Sequence, residues 1–181
     1  MTLRKLFLLI VAAITLAGCT TSYDAVIGTD GRPLSKEESA KVIRNTVRSK
    51  VENRDFRILV DEMNPISGPT LHLRDNDWAL EVHRDSIGSV LPYFGRGYNV
   101  PYGSAMGMHF ITRMDSYSVE HPKDNMWIVK IRCHTVQEGY DFQIQVFDNG
   151  RAYISVNTRY RDMISYNGYV DMRGIALKRV Q

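Results

Sequence analysis

"WIVKIRCHTVQEGYDFQIQVFDNGRAYISVNT", Trp127 to Thr158, decides the fold of this chain. Its apolar residues recur at every second position. Trp127, Val129, Ile131 and Cys133 fall on one side, while Lys130, Arg132 and His134 fall on the other. Tyr140, Phe142, Ile144 and Val146 repeat the pattern against Asp141, Gln143 and Gln145, and Ala152, Ile154 and Val156 do so again. Side chains of a strand alternate between faces, so this period marks strands with one buried and one wet face. Asn149-Gly150, between the last two runs, predicts a two-residue type I′ hairpin turn, because both residue types tolerate positive φ. Asn167-Gly168 in "ISYNGYV" predicts a second such turn.

Working outward, "FRILV" (56–60), "TLHLR" (70–74) and "WALEV" (78–82) are further short strand candidates between turn residues. Before them the period changes. Ser35-Lys36-Glu37-Glu38 has the S-x-x-E form of a capping box, and Ala40, Ile43, Val47 and Val51 then recur at intervals of three and four. One helix is therefore expected, with Lys41, Arg44, Arg48 and Lys50 mostly off its apolar stripe, on a solvated face. Roughly eight to ten short strands after one helix predict a mainly β domain, an antiparallel barrel or sandwich. A single open sheet would leave an apolar face and its edges uncovered, so closure is required. The preferred architecture is a partly flattened, lipocalin-like barrel with the helix on its outside or across one end.

The N-terminus reads as an address. "MTLRKLFLLIVAAITLAGC" places Arg4 and Lys5 before an apolar run and small residues before Cys19, the three-part pattern of an export signal. Leu16-Ala17-Gly18-Cys19 resembles the lipobox of bacterial lipoproteins, which implies cleavage before Cys19 and acylation of that residue. Several acyl chains on one residue suffice for stable anchoring. The expected organisation is a signal peptide over 1–18, a lipidated Cys19 with a polar, turn-rich tether over 19–34, and one domain over 35–181. Thr20, where an Asp would mark inner-membrane retention, favours the outer membrane, with the domain facing the periplasm.

Charge and cysteine content exclude several classes. The chain holds 23 basic and 20 acidic residues. Residues 1–18 contain two of the bases, Arg4 and Lys5, and none of the acids, so 19–181 carries 21 against 20. Such a balance implies no nucleic-acid partner. With Cys19 acylated, Cys133 has no partner for an intrachain disulfide.

No catalytic motif emerges. Cys133 and His134 are adjacent, but neighbours on a strand point to opposite faces and cannot form a dyad, so Cys133 reads as a small buried hydrophobe. "GSAMG" (103–107) has its serine one position too early for a nucleophile elbow. The five histidines lack metal-ligand spacing, and Asp75 and Asp77 in "RDNDW" fit a hairpin turn better than a cation loop. No cofactor or metal is expected.

"SVLPYFGRGYNVPYG" (89–103) concentrates four aromatic rings, three glycines and two prolines. Tyr93, Phe94, Tyr98 and Tyr102 can bury large areas while presenting polar tips, and Arg96 can stack on a ring or grip a carboxylate. Two readings stand: a ligand-binding rim made of Tyr93, Phe94, Arg96, Tyr98 and Tyr102, or a corner whose rings pack on the domain itself. With the lipobox, the tether, the helix and the later "FDNGRAYISVNTRYRDMISYNGYV", this segment resembles a family of Bacteroidetes lipoproteins and exported proteins, domain of unknown function 4251. The resemblance spans about residues 36–175 and is most specific at Leu91–Arg96, Tyr98 and Pro101–Gly103. It implies an all-β, lipocalin-like fold and an envelope address, and it implies no activity. The functional expectation is a non-enzymatic binding or scaffolding lipoprotein, contacting protein, glycan or a small apolar ligand. The alternative is an envelope hydrolase whose carboxylates and histidines meet only across strands.

Overall fold

A computed structural model of the chain describes residues 23–74, 77–94, 96 and 107–180. They form two compact units, 23–39 with 175–180, and 40–174.

In the first unit β1 (Tyr23–Val26) pairs antiparallel with β11 (Leu177–Val180), Tyr23 opposite Val180 and Val26 opposite Leu177. This corrects the tether expectation for these residues. Ala25 and Val26 are buried, and Ile27 N–H donates to Ala176 O at 2.8 Å. A strand this short holds too few alternations to show a period in sequence.

Helix α1 (Lys36–Glu52) begins in the first unit and continues into the second. Its capping box forms as expected: Glu38 N–H donates to Ser35 Oγ at 3.3 Å, and Ser35 N–H donates to Glu38 Oε2 at 3.1 Å. These bonds hold the Glu38 carboxyl below its usual range, the Ser35 side chain contributing most. The stripe is corrected at its start, where Ala40 is exposed and Ser39 is buried. Ser39 lies four residues before Ile43 on the same face, and its hydroxyl accepts from Val26 N–H at 3.0 Å. A small polar residue with such a partner avoids the cost of an unsatisfied buried group and is accommodated in an apolar face.

The second unit is a closed barrel. Its strands are β2 (Asp55–Pro65), β4 (Ala79–His83), β5 (Ser86–Pro92), β6 (Gly107–Lys123), β7 (Met126–His134), β8 (Gly139–Phe147), β9 (Arg151–Thr158) and β10 (Ile164–Val170). Each pairs antiparallel with the next, and β10 returns to β2 to close the ring of eight. The two-residue β3 (Leu71–His72) also lies on β2, beyond the end of β4 on the same edge. "RDNDW" is thus not the turn of a β3–β4 hairpin, since both strands pair with β2 instead of with each other; Asp75 and Asn76 lie outside the described residues.

The interior is filled with side chains. Ile58, Met63, Leu80, Ile87, Leu91, Met108, Ile131, Ile144, Ile154 and Tyr166 are all essentially without solvent exposure. Val47 and Val51 of α1 belong to the same core cluster, and Tyr117 donates its hydroxyl to Val51 O at 2.8 Å. Arg44 pairs with Asp148 at the β8–β9 turn, and Arg54 with Asp85 at the β4–β5 turn. The β6–β7 turn lies at this end too, so α1 and its C-terminal turn close the end of the barrel where these three hairpins gather.

Both Asn-Gly signals behave differently from expectation. The β8–β9 connection is the three-residue Asp148-Asn149-Gly150, with only Gly150 at positive φ (84°). Gly150 N–H donates to Phe147 O at 2.9 Å, and Asn149 Oδ1 accepts from Arg151 N–H at 3.0 Å. That side-chain acceptor stabilises an ordinary turn before the glycine, so Asn149 has no need of the left-handed region. Asn167-Gly168 makes no turn at all. It lies inside β10, where the register to β2 shifts by one residue. A Cβ on Gly168 would stand 2.2 Å from Leu59 O, so the glycine permits close strand approach.

Candidate functional site

The end of the barrel away from α1 is where the β5–β6, β7–β8 and β9–β10 connections meet, and a polar network ties it together. Thr135 N–H donates to Glu138 O at 2.8 Å, and Glu138 N–H donates to Thr135 Oγ1 at 3.1 Å. This tight turn sends the Glu138 side chain inward. Arg161 Nε donates to Glu138 Oε2 at 3.0 Å, with 7 % and 5 % of the two side chains exposed. Tyr160 N–H donates to Glu138 Oε1 at 3.3 Å, so both carboxylate oxygens are engaged. A buried ion pair persists only with such supplementary hydrogen bonds.

Tyr93 completes the network. Its ring lies under Arg161, whose guanidinium carbon is 5.1 Å from the ring centroid. Its hydroxyl is 3.0 Å from Arg96 O and 3.2 Å from Asp162 O, within donating distance of both. Burial, then the nearby Asp162 carboxylate, pushes the Tyr93 phenol up from its ordinary value. Tyr166 donates to Pro92 O at 2.6 Å from the barrel interior, and burial pushes its phenol up strongly.

The five residues of the aromatic segment therefore part company. Tyr93 is buried and holds the segment's start to the β9–β10 connection. Phe94 and Arg96 are exposed, and Arg96 joins the network through its main-chain oxygen, which also accepts from Asp162 N–H at 3.1 Å. Tyr98 and Tyr102 lie outside the described residues, as does Cys19. Ser89 to Pro92, expected as part of that segment, belong to β5.

A cleft opens beside the network. β7 ends at His134, whereas β6 runs on past it to Gly107, paired there only with β5. The gap between β6 and the Thr135–Glu138 turn is lined by the half-buried Phe110 and, beneath it, the buried Tyr140, whose rings stand 4.5 Å apart, with Arg161 beside them. Ile111, 87 % exposed, and the fully exposed Val136 flank its mouth. Thr112 Oγ1 donates to His134 O at 2.9 Å where the two strands diverge. Burial and the neighbouring Glu138 carboxylate push the Tyr140 phenol up to about 12.

Sequence reasoning missed Glu138, Arg161 and Tyr140 as one cluster. The aromatic segment drew attention to Tyr93, but nothing in local spacing links it to residues some forty to seventy positions later. Elsewhere the chemistry-bearing residues stay apart. Cys133 faces the core, where burial and then Asp115 push its thiol up to about 12, while His134 points outward and pairs with Asp115 at 2.8 Å. His72 and His83 likewise pair singly with Glu62 and Asp55 on the surface. Among the described residues no group of three or more His, Cys, Asp or Glu is placed to hold a metal ion.

The sequence model of the family described as "Domain of unknown function (DUF4251)" matches residues 38–170. The chain belongs to the DUF4251 family. A crystal structure of a DUF4251 family protein from Bacteroides eggerthii is similar, with 9 % sequence identity and a TM-score of 0.55. The match covers 71 % of this chain and 87 % of that one, and at this identity it shows the shared fold alone. No curated protein matches the chain. The family match takes in the whole closed barrel and nearly all of α1, so the polar network and the cleft lie within the DUF4251 domain.

Proposed function

We propose that this DUF4251 chain is a lipid-anchored protein of the bacterial cell envelope that works by binding and not by catalysis. Its ligand is a small molecule with an apolar body and a hydrogen-bond-accepting head, seated in the cleft beside Arg161. The observation that carries this reading is the division between a barrel interior filled by its own side chains and a cleft left open between β6 and the β7–β8 turn, floored by the half-buried Phe110. A filled barrel has no room for an internal ligand, and interior packing is dense enough that none can be made without cost. Phe110, backed by Tyr140, offers the apolar surface, Ile111 and Val136 the rim, and the Arg161 guanidinium the polar end. Single exposed apolar residues are ordinary, but two flanking an aromatic floor make a contact surface. The anchor rests on the Leu16-Ala17-Gly18-Cys19 sequence, and Thr20 after it favours the outer membrane, with the domain facing the periplasm.

Two measurements on the full-length chain test the proposal. Cys19→Ala is expected to move the protein from the membrane to the soluble fraction and to abolish acyl labelling; unchanged partitioning removes the anchor. The fluorescent probe 8-anilinonaphthalene-1-sulfonate, with an apolar body and an anionic head, is expected to bind the folded chain. Ile111→Asp should weaken that binding about tenfold, as a charge at the rim disfavours an anion and an apolar body alike. Equal binding by both forms, with melting curves unchanged, rejects the cleft.

A further inference from the structure

The second half of β6 is paired on one side only. β5 stays with β6 as far as Arg113, and the last bond on that side runs from Met114 N–H to Asp85 O at 2.8 Å. From Ser116 to Lys123 the strand continues with β7 alone, and among the described residues no strand occupies its other edge. In an antiparallel ladder every second residue turns its N–H and C=O away from its partner, so this edge presents a row of main-chain donors and acceptors. Val119, 38 % exposed, lies at the middle of the stretch.

We propose that this edge pairs with the same edge of a second copy of the chain, antiparallel about a two-fold axis through Val119. The sequence Asp115-Ser-Tyr-Ser-Val-Glu-His-Pro-Lys123 is complementary to its own reverse about that residue. Val119 meets Val119, Tyr117 meets His121, and Ser118 meets Glu120. At the two ends Asp115 comes opposite Lys123, twice in the dimer. Placing the axis at Ser118 instead would bring Lys123 against Arg113, whose edge Ser86 of β5 already holds, and would lose both Asp115–Lys123 pairs. Opposite charges facing across strands favour a register, and like charges disfavour it. Such an interface is isologous, the commonest form of self-association, and it closes at two copies.

The register of β6 to β7 shifts once at Asp115 and again between Glu120 and Lys123, so the regular edge is bounded on both sides. Pro122, which has no N–H, sits in the second irregularity and adds no donor to the edge, so Asp115 and Lys123 flank the regular ladder as its charged ends. Within those bounds Tyr117 is already fixed, its hydroxyl on Val51 O and its ring under Arg54 at 4.8 Å. A preformed strand loses little freedom on pairing. This surface lies at the α1 end of the barrel, apart from the cleft beside Arg161, so each proposal stands or falls without the other.

Cysteine cross-linking of the full-length chain tests the register. Opposed residues of an antiparallel pair lie within disulfide reach. Val119→Cys is expected to give a disulfide-linked dimer on mild oxidation, well above the background of the parent chain with its own two cysteines. Ser118→Cys, whose side chain would face Glu120, should stay at background. Asp115→Lys should lower the Val119→Cys yield about tenfold by setting lysines opposite each other, and adding Lys123→Asp should restore it. Absence of the Val119→Cys dimer, or equal yields at positions 118 and 119, overturns the proposal, as does a double charge variant that fails to recover while the fold, read by its melting curve, is intact.

Discussion

The two ends of the barrel are closed by opposite chemistry. At one end α1 lays Val47 and Val51 into the core, an apolar closure. At the other, Tyr93, Glu138 and Arg161 meet as a buried ion pair over an aromatic ring. The apolar end contributes through area removed from water and tolerates change in proportion to the atoms lost. The polar end is all or nothing, because each member leaves the others unsatisfied when removed. It is also the end where the wall parts and the cleft forms. Closure by a few directional bonds, unlike a packed helix, leaves room for an opening beside it.

Substitutions at each end put this contrast to the test. Glu138→Ala strands the Arg161 guanidinium in the barrel end and is expected to cost about 3–5 kcal/mol in urea unfolding. Glu138→Ala with Arg161→Met should recover most of that loss, since an apolar pair of similar volume replaces a buried ion pair at little cost. A Glu138→Ala cost as small as that of a surface pair would remove the network from the account. At the helix end Val51→Ala deletes two buried carbon atoms and should cost roughly 2 kcal/mol, transfer and cavity terms together. If Val51→Ala proves the more damaging, the ranking of the two ends is reversed.

The smallest effect is a pH dependence. The Tyr140 phenol is pushed up to about 12 by burial, from its ordinary value of about 10. Between these values the unfolded chain releases this proton and the folded chain keeps it. Its contribution is therefore complete below pH 10 and is lost as pH rises from there through about 12. Tyr117 at the helix end is pushed up to about 12 by burial as well, with Arg54 opposing. Alkaline melts of Tyr140→Phe and Tyr117→Phe should each flatten the fall of stability over this window. A wild-type midpoint that holds constant through it would contradict the burial of both phenols.

How much of this was legible follows from the same contrast. The capping box, the helix and the strands β7 to β9 are local patterns of period 3.6 or 2, and they appear where the sequence places them. β6, at 17 residues the longest strand, shows no single period. Met108, Phe110 and Met114 face inward before the extra residue at Asp115; Tyr117 and Val119 do so after it, because one inserted residue flips the parity of everything that follows. β2 hides its second half in the same way, its inward residues stepping from Val60 to Met63 across the shift opposite Asn167 and Gly168. The polar network was illegible for a different reason. Tyr93, Glu138 and Arg161 are joined by barrel closure, and no spacing along the chain records which connections share an end.

The proposed recognition lies at the parted wall and not inside the barrel. It is tested most directly by titrating 8-anilinonaphthalene-1-sulfonate into the full-length chain, into Ile111→Asp at the rim, and into Ile144→Ala in the interior. Ile111→Asp is expected to lose about tenfold in affinity, while Ile144→Ala is less stable yet binds as the parent does. Binding that survives Ile111→Asp but changes with Ile144→Ala would place the ligand inside the barrel and contradict the proposal.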